Sequence, residues 1–427
     1  MRIAFVMGSF PELSTTFILD QITGLIDLGH DVHILAREPW GKQLVHADIA
    51  RYQLETRTHY WWASLDGLRK LVPRTLRIVR DGTDAQRRAL LRSFDALHHG
   101  PWTLTGRWWN AAAVLLTQPP FDVVLAQFGT NGRAAVTLRD IGLLDAPIAT
   151  TWLGYDLSRI IKTHGKGYYA SLFARGDLQL PLSAHFRERL IGLGCPAEKI
   201  SVHPLGIDPR RFAFTPPTPP QGGAPVRIIT VCRLVEKKGL EYALRALVEV
   251  ARRGHAFEYH VVGSGPLREP LEALARELGL SQVTFHGAQT RDAVVKLLAG
   301  AHVFLAPSVT ARDGDEEGVP TAIKEAMAVG LPVVSTYHAA IPELITDDVS
   351  GMLVAERDVP ALAHKLTAMI TAPERWRAMT EAARGVIERT CDIATLNVAL
   401  ARTLQGLADD YEAVSRSPAS APRSASL

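Results

Sequence analysis

Cysteine is scarce: the 427 residues hold three, Cys195, Cys232 and Cys391. Their wide spacing, odd number and lack of any CxxC pair exclude a disulfide framework and a thiolate zinc site, and suit a reducing compartment. The histidines form no HxxxH or HxH ligand set, so each is expected to be structural or exposed. Long apolar runs are also missing. No uncharged stretch approaches the roughly 18–20 residues that span a bilayer. The opening run Ile3 to Met7 soon meets Pro11 and reads as neither signal peptide nor anchor. Net charge is only +3, too small to point to nucleic acid.

What is present is ample material for a core. Apolar residues make up 47% and charged residues 21% of a chain long enough for two or three domains. In the C-terminal half, short apolar runs alternate with helical patterns. Arg227–Val231, Tyr259–Val262, Val283–Phe285, Val303–Ala306 and Pro332–Ser335 read as strands. Between them, Leu240, Leu244, Leu247 and Ala251 share one helix face, and further helices fall at Leu267–Leu278, Ala293–Ala299 and Thr321–Val329. Such alternation predicts a parallel sheet covered on both faces. The N-terminal half repeats the pattern, with strands at Ile3–Met7, Asp31–Leu35, Val123–Ala126, Ile148–Thr151 and Leu178–Leu180.

Between its second and third strands sits an insertion, about 40–120, expected to be helical and rich in Trp and Arg. There Arg74, Arg77, Arg80, Arg87 and Arg88 lie near Trp61, Trp62, Trp102, Trp108 and Trp109, a composition that suits an anionic membrane surface. The alternative is a solvated helical face over a Trp-containing core. Pro204–Pro225, dense in Pro and Gly, reads as an exposed linker. Two doubly wound domains so joined leave a deep cleft at the C-terminal strand ends. The run from Ser415 to Leu427 is too poor in large apolar residues to order itself.

Three constellations carry chemistry. In Glu317-Gly318-Val319-Pro320-Thr321-Ala322-Ile323-Lys324-Glu325 a loop carboxylate is followed by one inside a helix. The free N–H groups around Val319 to Ala322 make an anion site at a helix N-terminus. Glu325, a turn in, is placed for a pair of hydroxyls such as a ribose diol, and Glu317 for a sugar ring; an acidic loop before an ordinary helix is the alternative. In Arg233-Leu234-Val235-Glu236-Lys237-Lys238-Gly239, Arg233 leaves a strand end and Lys238 opens a helix, two cations suited to a diphosphate leaving group. A solvated charged turn is the alternative there, and Lys237 is read as solvated. Gly263-Ser264-Gly265-Pro266 is a turn in which Gly263 and Gly265 let backbone approach a ligand.

Read together, these residues resemble the family-4 retaining glycosyltransferases of the GT-B fold. Gly351-Met352-Leu353-Val354 and Val202-His203-Pro204-Leu205-Gly206-Ile207-Asp208 add to the resemblance, which is strong over about 180–375. The opening Gly8-Ser9-Phe10-Pro11-Glu12-Leu13-Ser14-Thr15-Thr16-Phe17-Ile18 is similar to the subgroup that builds exopolysaccharides such as colanic acid or amylovoran.

The resemblance implies an α/β, GT-B architecture of two Rossmann-like domains. Residues 1–205 would bind the acceptor and 226–390 the nucleotide sugar. A linker at 206–225, a helix at 391–412 packing back on the N-terminal domain and a disordered 413–427 complete the chain. It implies hexosyl transfer from a nucleotide-diphosphate sugar, UDP favoured over GDP, to a glycan or lipid-linked acceptor, with no metal and no cofactor. Arg233 and Lys238 would hold the diphosphate, Glu325 the ribose, and Glu317 with Gly318, Val319, Pro320 and Thr321 the sugar. Gly8, Ser9, Phe10, Gln127 and Asp156 would line the facing cleft. Gln127 and Leu153 stand where the family often has His. Asp313-Gly314-Asp315 is similar to the metal-binding DxD of a different glycosyltransferase fold, but its loop context argues against a metal. The expected location is the cytoplasm, including the inner face of the plasma membrane. The alternatives are a nucleotide-sugar 2-epimerase of the same fold and an inactive binding partner.

Overall fold

The computed structural model describes residues 1–11, 16–39, 47–62, 68–95 and 107–416. Among these, the N-terminal half runs β1 (Arg2–Phe10), α1 (Thr16–Asp27), β2 (Asp31–Pro39), α2 (Ala47–Arg51), β3 (Thr58–Tyr60), α3 (Leu68–Asp81), α4 (Asp84–Arg92), α5 (Arg107–Leu115), β4 (Val123–Gln127), α6 (Gly129–Ile141), β5 (Ile148–Trp152), α7 (Arg159–His164), α8 (Ala170–Arg175), β6 (Leu178–Pro181) and α9 (Ala184–Gly192). The C-terminal half runs β7 (Val226–Val231), α10 (Leu240–Arg252), β8 (Phe257–Val262), α11 (Arg268–Glu277), β9 (Val283–Gly287), α12 (Arg291–Ala299), β10 (Val303–Ala306), α13 (Thr321–Val329), β11 (Val333–Thr336), α14 (Ile341–Leu344), β12 (Met352–Val354), α15 (Val359–Thr371), α16 (Trp376–Thr390) and α17 (Ile393–Arg416).

The strands form two parallel six-stranded sheets, β3-β2-β1-β4-β5-β6 and β12-β11-β10-β7-β8-β9. Both have the same connectivity, with the order reversing between the first and fourth strand of each half. Alternation along a strand sends side chains to opposite faces. In β1, Ile3, Phe5 and Met7 enter one apolar layer and Ala4 and Val6 the other. In β10, Val303 and Leu305 oppose Phe304 in the same way. Apolar residues on both faces are what a sheet covered by helices on both sides requires.

The insertion differs from the expectation of an all-helical segment. Thr58–Tyr60 pairs with Ile34–Ala36 and adds an edge strand. Trp61, Trp62, Trp108 and Trp109 pack together with the insertion's helices. Trp61 and Trp108 are buried and stack with centroids 6.1 Å apart. Trp62 meets both edge-on, and the Trp109 indole donates to Thr75 Oγ1 at 2.8 Å. Indole rings gain most where their large apolar faces leave water. Trp102 lies outside the described residues.

The linker also departs from expectation at its start. Ile207 and Phe212 are buried, and Ile207 pairs with the 391–393 segment through N–H···O bonds of 2.8 and 2.9 Å. The chain crosses between the halves twice, and the two crossings satisfy each other's backbone groups. After the second crossing, α17 lies on α1. Leu400 and Leu404 join Ile18, Ile22 and Leu25 in the N-terminal core, and Asn397 Nδ2 donates to Asp20 O at 3.2 Å. That helix continues through Arg416, beyond 413; residues 417–427 lie outside the described ones.

Candidate active site

Ligands of doubly wound sheets bind beyond the C-terminal strand ends where the strand order reverses. In the C-terminal sheet that point lies between β7 and β10. Arg233 follows β7, and its exposed guanidinium has no hydrogen bond or ion pair among the described residues. The chain then makes a 3-10 turn, Glu236–Lys238, and Gly239 adopts φ +65° to start α10. A Cβ at Gly239 would sit 1.8 Å from the Pro307 carbonyl oxygen, so the β7 and β10 loops touch there through a residue without a side chain.

The β10–α13 loop brings Glu317 to this junction. It is 6% exposed, and its Oε2 accepts from Lys238 Nζ at 2.8 Å. Lys237 is a correction to the sequence reading: it is buried, not solvated. Its ammonium donates to Asp315 Oδ1 at 3.1 Å and to the Glu316 carbonyl at 3.0 Å, and lies 3.4 Å from Glu317 Oε1. Glu317 Oε1 itself is buried with no hydrogen-bond partner. Burial raises the Glu317 carboxyl, but the two lysines outweigh it and bring it down to about 2. The carboxylate is therefore an anion held in place with one oxygen still to be satisfied.

Gly318, Val319 and Pro320 lead into α13, with Pro320 capping it and Thr321 its first residue. Of its first-turn N–H groups, that of Ile323 reaches back to the Pro320 carbonyl at 3.1 Å, and those before it have no partner within the helix. The N-terminal half closes on this loop. A Cβ at Gly318 would lie 2.8 Å from the Leu153 carbonyl, and Val319 packs into apolar clusters of both halves. Arg189 pairs with Glu316, and Glu343 of α14 accepts the N–H groups of Ala184 and His185 at 2.9 and 2.7 Å, capping α9 from across the cleft.

Glu325 lies one turn into α13. Its neighbours are Arg291 at the start of α12 and Asp20 of α1, which is 4.0 Å from Arg291. Burial, reinforced by Asp20 and opposed by Arg291, pushes the Glu325 carboxyl up to about 7. Arg291 Nη1 is buried without a partner. The next residue but one before Glu325 is turned inward, and Lys324 is spent on the Leu205 carbonyl.

Gly263 and Gly265 have a packing reason for their glycines. At Gly263 (φ +135°) a Cβ would be 1.8 Å from the Cys232 carbonyl oxygen, and at Gly265 2.5 Å from that of Leu234. The two βα loops interlock through bare backbone. Asp313 and Asp315 do not share a ligand sphere: Asp313 accepts the Asp315 N–H at 2.9 Å and lies 3.5 Å from Arg159, while Asp315 holds Lys237.

On the facing side, Gly8 and Ser9 are half-buried at the end of β1. Three expected cleft contacts lie beneath the surface instead. Phe10 is 4% exposed among Ile18 and Leu19, where its ring gains by leaving water. Gln127 is fully buried and accepts from Thr151 Oγ1 at 2.8 Å. Asp156 is fully buried and accepts the N–H groups of Gly129 and Gly154 at 3.0 and 2.9 Å, fixing both loops. Arg37, which sequence reading missed, lies over Gly8 and donates to Asn131 Oδ1 at 3.1 Å.

Comparison with known proteins follows the same division. Residues 14–206 match the family "Glycosyl transferase 4-like domain" and residues 219–386 match "Glycosyl transferases group 1". The chain is 39% identical over 418 residues to a putative colanic acid biosynthesis glycosyltransferase of Escherichia coli (strain K12), covering 95% of this chain and 100% of that protein. It is 39% identical over 374 residues to an amylovoran biosynthesis glycosyltransferase of Erwinia amylovora, covering 85% and 89%. Among solved structures, Anabaena Alr3699/HepE in complex with UDP and glucose superposes with a TM-score of 0.68 at 18% identity, over 95% of this chain and 100% of that one. Sucrose-phosphate synthase from Thermosynechococcus elongatus gives 0.69 at 16% identity, over 96% and 100%.

Proposed function

The chain belongs to the group 1 glycosyltransferases and has the GT-B fold, and on that footing we propose that it moves a hexosyl group from a nucleoside-diphosphate sugar to a glycan or lipid-linked acceptor, with retention of configuration and without a divalent metal. The reading extends to exopolysaccharide or cell-surface glycan assembly, the role in the names of its 39% identical relatives. Those names leave the epimerase alternative without support.

One observation carries the proposal: the buried, ionised Glu317, held by Lys238 and left with an unsatisfied oxygen beside the α13 N-terminus. A donor sugar hydroxyl supplies the missing hydrogen. The diphosphate sits between the free Arg233 guanidinium and the α13 amides, so charge growing on the leaving group meets fixed cations and dipoles. Protein groups thus do the work that a metal does elsewhere. Glu325 takes the ribose hydroxyls, and residues 226–390 form the donor half. Acceptor binding falls to residues 1–205, with Gly8, Ser9 and Arg37 at the cleft floor. The UDP complexes among its structural neighbours favour UDP as the nucleotide.

The acceptor side also favours an anionic membrane on the cytoplasmic face. No helix among the described residues is long and apolar enough to cross a membrane. Yet α3, α4 and the turn after α4 expose Val72, Leu76, Val79, Leu91 and Phe94, with Arg74, Arg77, Arg80, Arg88 and Arg92 exposed beside them. That is an apolar stripe edged by cations, the chemistry of a surface-lying amphipathic helix.

The deciding experiment is thermal-shift screening of UDP, GDP and their sugars, followed by turnover of the stabilising donor with and without EDTA. A ligand at one hundred times its dissociation constant stabilises by about 2.7 kcal/mol. Stabilisation by UDP-sugars and turnover unchanged by EDTA are expected. Loss of turnover restored by Mn²⁺ would overturn metal independence, and no response to any nucleotide would overturn the donor assignment.

A further inference from the structure

His338 follows the end of β11 and is 1% exposed. Its Nε2 lies 3.0 Å from the backbone nitrogen of Glu317, and its Nδ1 lies 2.6 Å from Glu356 Oε1. A backbone N–H can only donate, so Nε2 is the bare nitrogen; Nδ1 carries the proton and donates to the carboxylate. Glu356, just beyond β12, is tied down in turn. Its Oε2 accepts the Thr310 N–H at 2.8 Å and an Arg357 guanidinium at 3.1 Å, and the Thr310 hydroxyl donates to Oε1 at 3.3 Å. Burial raises the Glu356 carboxyl, but these donors bring it down, so it is an anion. One imidazole thus joins the exits of β10, β11 and β12 to the loop that bears Glu317.

A buried imidazole tied to a half-buried carboxylate is costly compared with a well-packed apolar side chain of the same volume. What it supplies that an apolar side chain cannot is an acceptor at one point of a loop with no regular secondary structure. The N–H it accepts belongs to Glu317 itself. Both ring nitrogens are occupied and the ring is closed off from the cleft, so His338 has no atom left with which to touch substrate. Without this anchor, Glu317 would depend on Lys237 and Lys238, whose four-carbon stems follow a moving carboxylate. A displacement of about 1 Å at a reacting group typically costs about 10²-fold in rate.

We infer that His338, oriented by Glu356, is a positioning residue that fixes the backbone of Glu317 and so aims its carboxylate at the donor sugar. The catalytic part of this statement rests on the transferase reading; the anchoring part does not. The nucleotide is held by groups that touch neither His338 nor Glu317, Arg233 at the diphosphate and Glu325 at the ribose, so its affinity is independent of the anchor.

The test compares His338→Leu, His338→Gln and Glu356→Gln. Gln carries an oxygen at a similar reach to Nε2 and can accept the Glu317 N–H; Leu cannot. Three measurements are made: amide hydrogen exchange of the 313–319 peptide in the unliganded protein, UDP release from UDP-glucose without acceptor, and UDP affinity by calorimetry. For His338→Leu, exchange at Glu317 is expected to speed up about tenfold and UDP release to fall at least about tenfold, with UDP affinity within about twofold. His338→Gln is expected to restore both to within about threefold, and Glu356→Gln to fall between. Unchanged exchange in His338→Leu, failure of Gln to rescue, or UDP affinity falling in step with turnover overturns the inference. Should His338→Leu not fold, His338→Gln decides: near-normal exchange is expected, and exchange accelerated tenfold or more overturns it. If the wild type releases no UDP, UDP-glucose fails as the donor while the exchange data still decide the anchor.

Discussion

Glu317 and Glu325 are eight positions apart and electrostatically opposite. Two lysines keep Glu317 ionised, whereas burial keeps Glu325 near half-protonation at neutral pH. Glu325→Ala should weaken nucleoside diphosphate and intact donor alike, by about 1.5–3 kcal/mol for a lost charged hydrogen bond. Glu317→Ala should leave nucleoside diphosphate affinity nearly unchanged while turnover drops, because its contacts form with the sugar and its transition state. Calorimetry with UDP on both variants checks this; equal losses would refute the division of roles.

A pH dependence follows from Glu325. Two ribose hydroxyls donate to an ionised carboxylate, so nucleotide affinity should rise as pH increases through about 7, with proton release on binding. Stability runs the other way. The folded-state value is raised above the unfolded 4.5, so this contribution is fully present below 4.5 and lost as pH rises through about 7. Glu325→Gln should therefore gain about 1–2 kcal/mol over wild type at pH 8, after discounting for partial exposure, and nothing at pH 4. Denaturant titrations at the two pH values measure it.

At the scale of elements, α3 is the least resolved by its own packing. Ile78 is buried and Thr75 holds Trp109, but Val72, Leu76 and Val79 face outward. Its apolar arc is wider than its contact with α5 uses. If that surplus serves a membrane, the protein should co-sediment with vesicles rich in anionic lipid at moderate salt. Leu76→Asp with Val79→Asp should then abolish binding, and neutral vesicles should bind weakly. Equal binding to neutral and anionic vesicles would remove the electrostatic part of the reading. The sequence marks the insertion as helical, but which apolar residues of α3 meet α5 depends on the angle at which the helices cross, and local spacing carries no information on that.

At the scale of the molecule, the last described helix returns to the first. Leu400 of α17 is fully buried against the first helix, so the last element belongs to the first core. Leu400→Ala should cost about 2–5 kcal/mol, the range for a buried Leu truncation. Seven of the eight tryptophans precede residue 153, so fluorescence reports mainly on the N-terminal half. Urea unfolding of Leu400→Ala should shift the fluorescence transition; an unshifted transition would place α17 outside the N-terminal cooperative unit. The same return of the chain explains why Gly206 is a glycine: a Cβ there would meet Ile393 Cα at 2.7 Å.

Sequence alone determined what is written in local spacing. The apolar runs at Ile3–Met7, Val123–Ala126 and Val303–Ala306 alternate with helices, so the parallel doubly wound sheets were legible, and so was the loop-then-helix placing of Glu317 and Glu325. These are short-range signals, read within one turn or one strand. Tertiary structure alone decided what depends on approach from afar. Lys237 is buried because Asp315 and Glu317 lie beside it in space, nearly eighty positions away in the chain. Phe10, Gln127 and Asp156 sit under the cleft rather than on it because neighbouring strands and loops claim their side chains. His338 and Glu356 carry no motif at all; they meet Glu317 only because β10, β11 and β12 end side by side. Hydrogen bonds and ion pairs act over about 3–4 Å, and which residues come that close is decided by the packing of whole elements.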